Sequence, residues 1–192
     1  MFDNFIKNIR EFVPFTDEEV AYLLSMVEYR GLKKYDKLVR YGEVCNYVSY
    51  INKGLVRFYY EANGKEHTPR IFKENEWTGN YVSFLTRTSS DTCLEALEDT
   101  EIFQLHYDKI QKAYEYSPVF ERLGRRIAES LFIDAVSRYS TGIRKPPEIR
   151  YMEMERADPE FLSRIPLKYV ASMLGIEPGS LSRIRKRMHG HE

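Results

Sequence analysis

A chain of 192 residues, 43% hydrophobic and 30% charged, is sized and composed for one large globular domain or two small ones. It holds no run approaching the roughly 20 apolar residues of a membrane span, and its N-terminus mixes too much charge into its apolar residues for a secretory signal. Cys45 and Cys93, distant and only two, exclude a disulfide scaffold and a four-cysteine iron–sulfur site, so a cytoplasmic protein with reduced thiols is expected. Net charge is zero but uneven: from Arg164 onward six Lys or Arg face two Glu, giving a tail of +4 and a preceding body of −4. Such asymmetry suits a basic tail that meets an acidic partner.

In chain order, Phe2, Phe5, Ile6, Ile9 and Phe12 have helical spacing, and Pro14 ends that element. Thr16 with Glu19 three residues later forms a capping box that opens a second helix, with Val20, Leu23, Leu24 and Val27 as its apolar stripe. From Tyr29 to His106 short alternating runs predict strands: Val48–Ile51, Leu55–Tyr60, Arg70–Phe72 and Ile102–Leu105. Tyr41-Gly42, Lys53-Gly54 and Asn63-Gly64 punctuate them, and Asn-Gly between two such runs is a hairpin signal. Many short strands predict a barrel, roll or sandwich.

Asp108–Tyr114 reads as a short helix. Pro118 then opens the longest helical pattern, to about Thr141, with Gly142 and Pro146-Pro147 closing it. Leu123, Ile127, Leu131, Ala135 and Tyr139 form one stripe along it; Phe120, Gly124, Ala128, Phe132 and Val136 form another. Two stripes exceed what one small sheet can cover, so a second copy of the helix is the expected partner, in a homodimer. Glu148–Leu162 is expected to be helical, with a possible interruption at Pro159.

In the last stretch Leu167, Val170, Ala171 and Leu174 mark a buried helix face, and Gly175 suits a left-handed C-terminal cap. Pro178 suits the first turn of a new helix, whose stripe is Leu181, Ile184 and Met188. The other faces carry Ser180, Ser182, Arg183, Arg185, Lys186 and Arg187. Two short helices joined by a Gly-containing turn, the second cationic, are the pattern of a DNA-reading helix-turn-helix. A helical hairpin that only packs or pairs has the same apolar spacing, and cations near a helix C-terminus are favoured by its dipole.

Several stretches resemble the catabolite activator (Crp/Fnr) superfamily of bacterial transcription regulators. They are Tyr41-Gly42-Glu43, Lys53-Gly54-Leu55-Val56-Arg57, Glu95-Ala96-Leu97-Glu98-Asp99, and Ile165-Pro166-Leu167-Lys168 through Leu181-Ser182-Arg183-Ile184-Arg185-Lys186. The last resembles members found in Bacteroidetes-type bacteria. The resemblance implies an α+β fold: an N-terminal antiparallel β-roll of the cyclic-nucleotide-binding, double-stranded β-helix kind, a long dimerisation helix and a C-terminal helix-turn-helix domain. The corresponding segments are 1–116, 117–145 and 146–192. Implied partners are double-stranded DNA, a second copy of the chain, RNA polymerase and a small-molecule effector.

Within that resemblance Lys168, Ser180, Ser182, Arg183, Arg185, Lys186 and Arg187 are the expected DNA-binding residues. Ser180, Ser182 and Arg183 are assigned to base edges and the other four to phosphates. Leu123, Ile127, Leu131 and Ala135 are the expected dimer face. Gly79, Asn80, Asp91 and Thr92 are the effector-pocket candidates, and they depart from the family's cyclic-AMP pattern. Asn80 replaces a ribose-binding Glu, and Asp91 places an anion where a phosphate-binding Arg belongs. Arg87 would reach the pocket only with a differently threaded loop. The positions near Asp134, Ala135 and Val136 do not reproduce the family's two hydroxyls, so cyclic AMP is not expected. Only five residues follow Arg187, so the family's β wing is expected either to precede the hairpin or to be missing, and Gly179 replaces a Glu that accepts from cytosine.

Other functions fare worse. A ligand- or protein-binding module without DNA binding is the alternative, suggested by neutral net charge, the lost wing and Gly179. A metal-dependent oxygenase needs two His and a carboxylate converging on the metal. The sole His-x-His, His189-Gly190-His191, lies outside the roll, and His67 and His106 are isolated. No hydrolase, Walker or dinucleotide signature appears. No catalysis, metal or cofactor is expected.

Overall fold

In this computed structural model, which describes residues 2–189, the first helices start and stop where local chemistry dictates. α1 (Asp3–Phe12) buries Phe5 and Ile9 four residues apart on one face. α2 (Asp17–Met26) begins at Thr16, whose hydroxyl accepts the Glu19 N–H at 3.2 Å while the Glu19 carboxylate accepts the Thr16 N–H at 3.0 Å. The helix therefore opens with its free N–H groups satisfied reciprocally.

Strands β1 (Glu28–Leu32), β2 (Lys37–Val39), β3 (Tyr47–Lys53), β4 (Val56–Ala62), β5 (Lys65–Phe72), β6 (Trp77–Thr78), β7 (Cys93–Ala96) and β8 (Thr100–His106) follow, with α3 (Tyr81–Thr86) between β6 and β7. They form two four-stranded sheets, ordered β1-β8-β3-β6 and β2-β7-β4-β5, in an antiparallel roll. Asn63 and Gly64 both take positive φ (54° and 71°), as a two-residue hairpin loop demands. Gly54 is required on two counts: its φ is 99°, and a Cβ there would fall 2.3 Å from Thr100 Oγ1. The core of the first sheet is aromatic, with Phe5 packed against Tyr50, Trp77 and Phe103 at centroid distances of 5.3 to 5.8 Å. Burial pushes the Tyr50 hydroxyl pKa up to about 12.

The remaining helices are α4 (Tyr107–Tyr116), α5 (Pro118–Arg144), α6 (Pro147–Ala157), α7 (Pro159–Arg164), α8 (Leu167–Met173) and α9 (Pro178–His189). The architecture is thus α+β, a β-roll followed by a long helix and further helices. α5 continues to Arg144, past the expected end near Thr141, and takes Gly142 into its last turn. A helical glycine costs only about 1 kcal/mol, whereas Pro146 and Pro147 end the helix outright.

Two compact units divide the chain differently from the three segments expected. One comprises residues 1–60 and 71–131; the other comprises 61–70 and 132–192. The division falls inside α5 because its first half buries Val119, Phe120, Leu123 and Ile127 in the first unit's core. Its second half is bonded to β5 of the β4–β5 hairpin: Arg138 donates to the Pro69 carbonyl (3.2 Å), and Asp134 lies 3.6 Å from Arg70 and 2.9 Å from Arg138.

Candidate nucleic-acid interface and effector pocket

α8 ends in a turn that fixes the direction of α9. The Ile176 N–H reaches back to the Ala171 carbonyl and the Gly175 N–H to that of Ser172, each at 3.0 Å, with Gly175 at φ 69°. This paired closure satisfies the helix's last carbonyls and needs the left-handed residue that glycine supplies. Leu174, Leu181 and Ile184 are buried between the two helices, and Ile176 is half-buried. Arg150 of α6 donates to the Leu174 carbonyl at 2.6 Å, adding a charged hydrogen bond to the same turn. From β5, the N–H of Thr68, 1% exposed, donates to Ser172 Oγ at 2.8 Å, and Lys65 lies 3.7 Å from Glu177.

With about 100° between successive residues, the buried Leu181 and Ile184 and half-buried Met188 take one side of α9. Gly179, Ser182, Arg183 and Lys186 take the opposite side, all exposed. Arg183 Nη2 donates to Ser180 Oγ (3.1 Å), and Ser182 Oγ donates to the Pro178 carbonyl (3.1 Å). Ser180 itself is half-buried, on the shoulder rather than the crest. Arg187, on that same shoulder, pairs with Glu148 of α6 at 3.0 Å. Arg185 takes the other shoulder, near Tyr151, whose hydroxyl pKa burial raises first and the Glu155 carboxylate second. Lys168, on α8, is exposed with its ammonium over the Tyr169 ring. The seven expected residues thus lie on one helix pair, four of them (Lys168, Ser182, Arg183, Lys186) presented outward without an acidic partner among the described residues of the second unit. Among the described residues no strand follows β8. Gly179 has open space where a Cβ would stand.

The four effector candidates divide. Asn80 is buried and caps α3: its side-chain oxygen accepts the Ser83 N–H (3.1 Å), and Nδ2 donates to Ser90 Oγ (2.7 Å) and Thr92 Oγ1 (2.8 Å). Thr92 is buried in this network, whereas Asp91 is exposed and outside it. A Cβ on Gly79 would meet the Tyr47 carbonyl at 3.3 Å. Arg87 turns away: Nη1 donates to the Cys45 and Phe84 carbonyls (both 3.1 Å), Nη2 donates to Asn46, and the guanidinium lies over the Tyr107 ring. The network is neutral, and a buried phosphate needs a cation. Sequence reading missed Ser83 and Ser90, whose roles arise only when α3 forms.

The expected dimer face requires correction. Leu123 and Ile127 are 4% exposed inside the chain's own core, and Leu131 is partly packed against it. Ala135 is exposed. The large apolar side chains left uncovered on α5 are Phe132, Ile133, Val136, Tyr139 and Ile143. Phe132, Val136, Tyr139 and Ile143 are spaced 4, 3 and 4 residues apart, the seam spacing of paired helices. Periodicity detects both stripes of a helix but does not say which one its own domain consumes.

His106 serves as the N-cap of α4, its Nδ1 accepting the Asp108 N–H at 3.2 Å. His67 lies on β5, and no group of three or more His, Cys, Asp or Glu positioned for a metal occurs among the described residues. His191 lies outside the described residues, as does the side chain of His189. Among the described residues no helix is long and apolar enough to cross a membrane.

Residues 29–117 match the family profile described as a cyclic nucleotide-binding domain. No curated protein sequence matches the chain. Among solved structures, the c-di-GMP-responsive global regulator CLP of Xanthomonas campestris has TM-score 0.73 at 16% identity, over 91% of this chain and 92% of that one. A protein from Eubacterium rectale assigned to the Crp/Fnr family of transcriptional regulators has TM-score 0.72 at 14% identity, covering 94% and 89%. FixK2 of Bradyrhizobium japonicum has TM-score 0.68 at 17% identity, covering 85% of each chain. The likeness is one of fold, and it extends through the helices that follow the roll.

Proposed function

We propose that this protein is a cytoplasmic, homodimeric transcription regulator of the Crp/Fnr type, of the Bacteroidetes-type subgroup, that binds double-stranded DNA with α8 and α9 as a helix-turn-helix. The observation that carries this reading is the α8–α9 pair. Its turn is closed by two backbone hydrogen bonds at Gly175, and the side of α9 opposite its core presents Ser182, Arg183 and Lys186. The fold shared with regulators supports it. In the dimer each α9 enters a major groove, with half-sites roughly 34 Å apart. Arg183 is the base-reading guanidinium, aided by Ser180 and Ser182. Lys168, Lys186, Arg185 and Arg187 lie against phosphates, and Arg187 leaves Glu148 to do so. RNA polymerase is the further partner of a bound activator.

The roll takes a small effector other than cyclic AMP, because the cassette around Asn80 holds no cation for a cyclic phosphate. Salt dependence tests DNA binding. Four to eight phosphate contacts per dimer give a slope of log affinity against log salt of roughly −4 to −7. A ligand- or protein-binding module without DNA binding predicts no retarded complex at low salt in a mobility-shift titration.

A further inference from the structure

We propose a second ligand site on the outer face of the sheet β2-β7-β4-β5, a recess that takes a small aromatic anion. It rests on neither the DNA-binding reading nor the cassette around Asn80. Side chains alternate across this sheet. Val56, Phe58, Leu94 and Ala96 turn to the core, and Arg57, Tyr59, Cys93 and Glu95 therefore turn the other way. Register sets Lys37 opposite Glu95 and Glu95 opposite Arg57. On that face Lys37 Nζ donates to the Tyr59 hydroxyl at 2.9 Å, and the Arg57 guanidinium stacks 3.8 Å from the Tyr59 ring centre. Tyr41 meets Tyr59 edge-on at 6.1 Å. Above this floor opens a recess of about 440 Å³, lined by Tyr35, Asp36, Lys37, Arg40, Tyr41 and Cys93. That volume lies within the range of small-molecule sites, roughly 300–1,000 Å³.

Charge and strain both mark the recess. Residues 30–41 hold five cations (Arg30, Lys33, Lys34, Lys37, Arg40) and one anion, Asp36, in a body that is net acidic. Asp36 is engaged in the turn, accepting the Lys33 N–H at 2.8 Å, and Lys33 is engaged by Asp99 at 2.7 Å. Lys37 donates to the neutral Tyr59 hydroxyl, and Arg40, at the surface, pairs with Glu43 only at 4.0 Å, a contact an incoming anion replaces. Tyr35 stands at φ 74°, a conformation costly for a bulky side chain, yet its ring is 58% exposed and contributes little to the core. The strained turn leaves the Tyr35 ring lining the recess, where it offers a contact and adds little to stability. A ring packed against Tyr35 and Tyr41 with its anion on Lys37 and Arg40 uses every one of these groups.

Calorimetric titration and saturation-transfer NMR on the full chain test the site, with 5′-AMP and 4-hydroxybenzoate as phosphate- and carboxylate-bearing aromatic anions. Adenosine and inorganic phosphate serve as half-ligands. At least one aromatic anion binds, and each half-ligand binds about tenfold more weakly or not at all. Arg40→Gln and Tyr41→Ala, both at exposed positions, each weaken binding about fivefold or more. Tyr35→Gly separates function from folding: it raises the melting temperature by relieving the strain and weakens binding at the same time. Which of the two anions binds more tightly identifies the acid group. The proposal is overturned if neither aromatic anion binds at about 5 mM, if inorganic phosphate binds as tightly as either, or if the three variants keep wild-type affinity.

Discussion

Replacing Val136 and Tyr139 together with Glu should break the proposed homodimer without unfolding the chain. The seam side chains Phe132, Val136, Tyr139 and Ile143 are 69, 46, 73 and 69% exposed in the single chain, roughly two thirds on average. Full burial of such a side chain stabilises by about 1.5–3 kcal/mol, so covering the exposed two thirds contributes about 1–2 kcal/mol each. Eight side chains across a symmetric pair then supply about 8–16 kcal/mol, against an association cost of about 4–15 kcal/mol. The double substitution removes half of that gain, about 4–8 kcal/mol, and brings four carboxylates together. The dimer dissociation constant should rise at least about 10³-fold. Sedimentation equilibrium over a concentration series measures it, with circular dichroism to confirm an unchanged fold. Leu123→Ala is the contrasting control. Buried in the chain's own core at 4% exposure, it should cost about 2–5 kcal/mol of stability without a specific effect on self-association. A folded double variant with the wild-type dissociation constant would refute the seam.

Three further substitutions probe the helix pair. Arg183→Ala should weaken binding to a selected duplex by about 1–3 kcal/mol and relax preference at one base pair, read by competition with single-base variants; equal loss on all sequences would make Arg183 a phosphate contact. Gly175→Ala finds open space for its Cβ at φ 69°, so its cost is backbone strain alone, about 1–2 kcal/mol in thermal denaturation. No loss at all would contradict the turn geometry. Ser172→Ala deprives the buried Thr68 N–H of its acceptor and should cost about 1–3 kcal/mol. Unchanged hydrogen exchange at Thr68 would show that β5 does not dock there.

Much of this fold was legible because its signals are local. Thr16 with Glu19, Asn63 with Gly64, and Gly175 before Pro178 each specify a backbone event within four residues, and each event occurs. The α5 pattern was long enough to read despite Gly142. Among the strands that the alternating runs do not reach, β1 buries one residue of five and β6 has two residues, too little pattern to read. α3 spans six residues, too short for periodicity, so the capping role of Asn80 leaves no pattern in the sequence. The docking of hairpin residues 61–70 beside α8 left no trace in the sequence. It rests on backbone groups of Thr68 and Pro69 meeting single polar side chains, and such contacts carry no period. Among the expected DNA-binding residues the helix was readable from the chain but the facing was not, since only the buried positions of Leu181 and Ile184 set Arg183 and Lys186 on the crest and Arg187 beside Glu148.

Reading of duplex DNA by α8 and α9 of the proposed homodimer is tested by selection of bound sequences from a random duplex pool. The expected result is enrichment of a near-palindrome whose half-sites lie one helical turn apart, roughly 34 Å, and loss of that enrichment in the Arg183→Ala chain. Recovery of no common sequence from a folded, dimeric protein at low salt would contradict it.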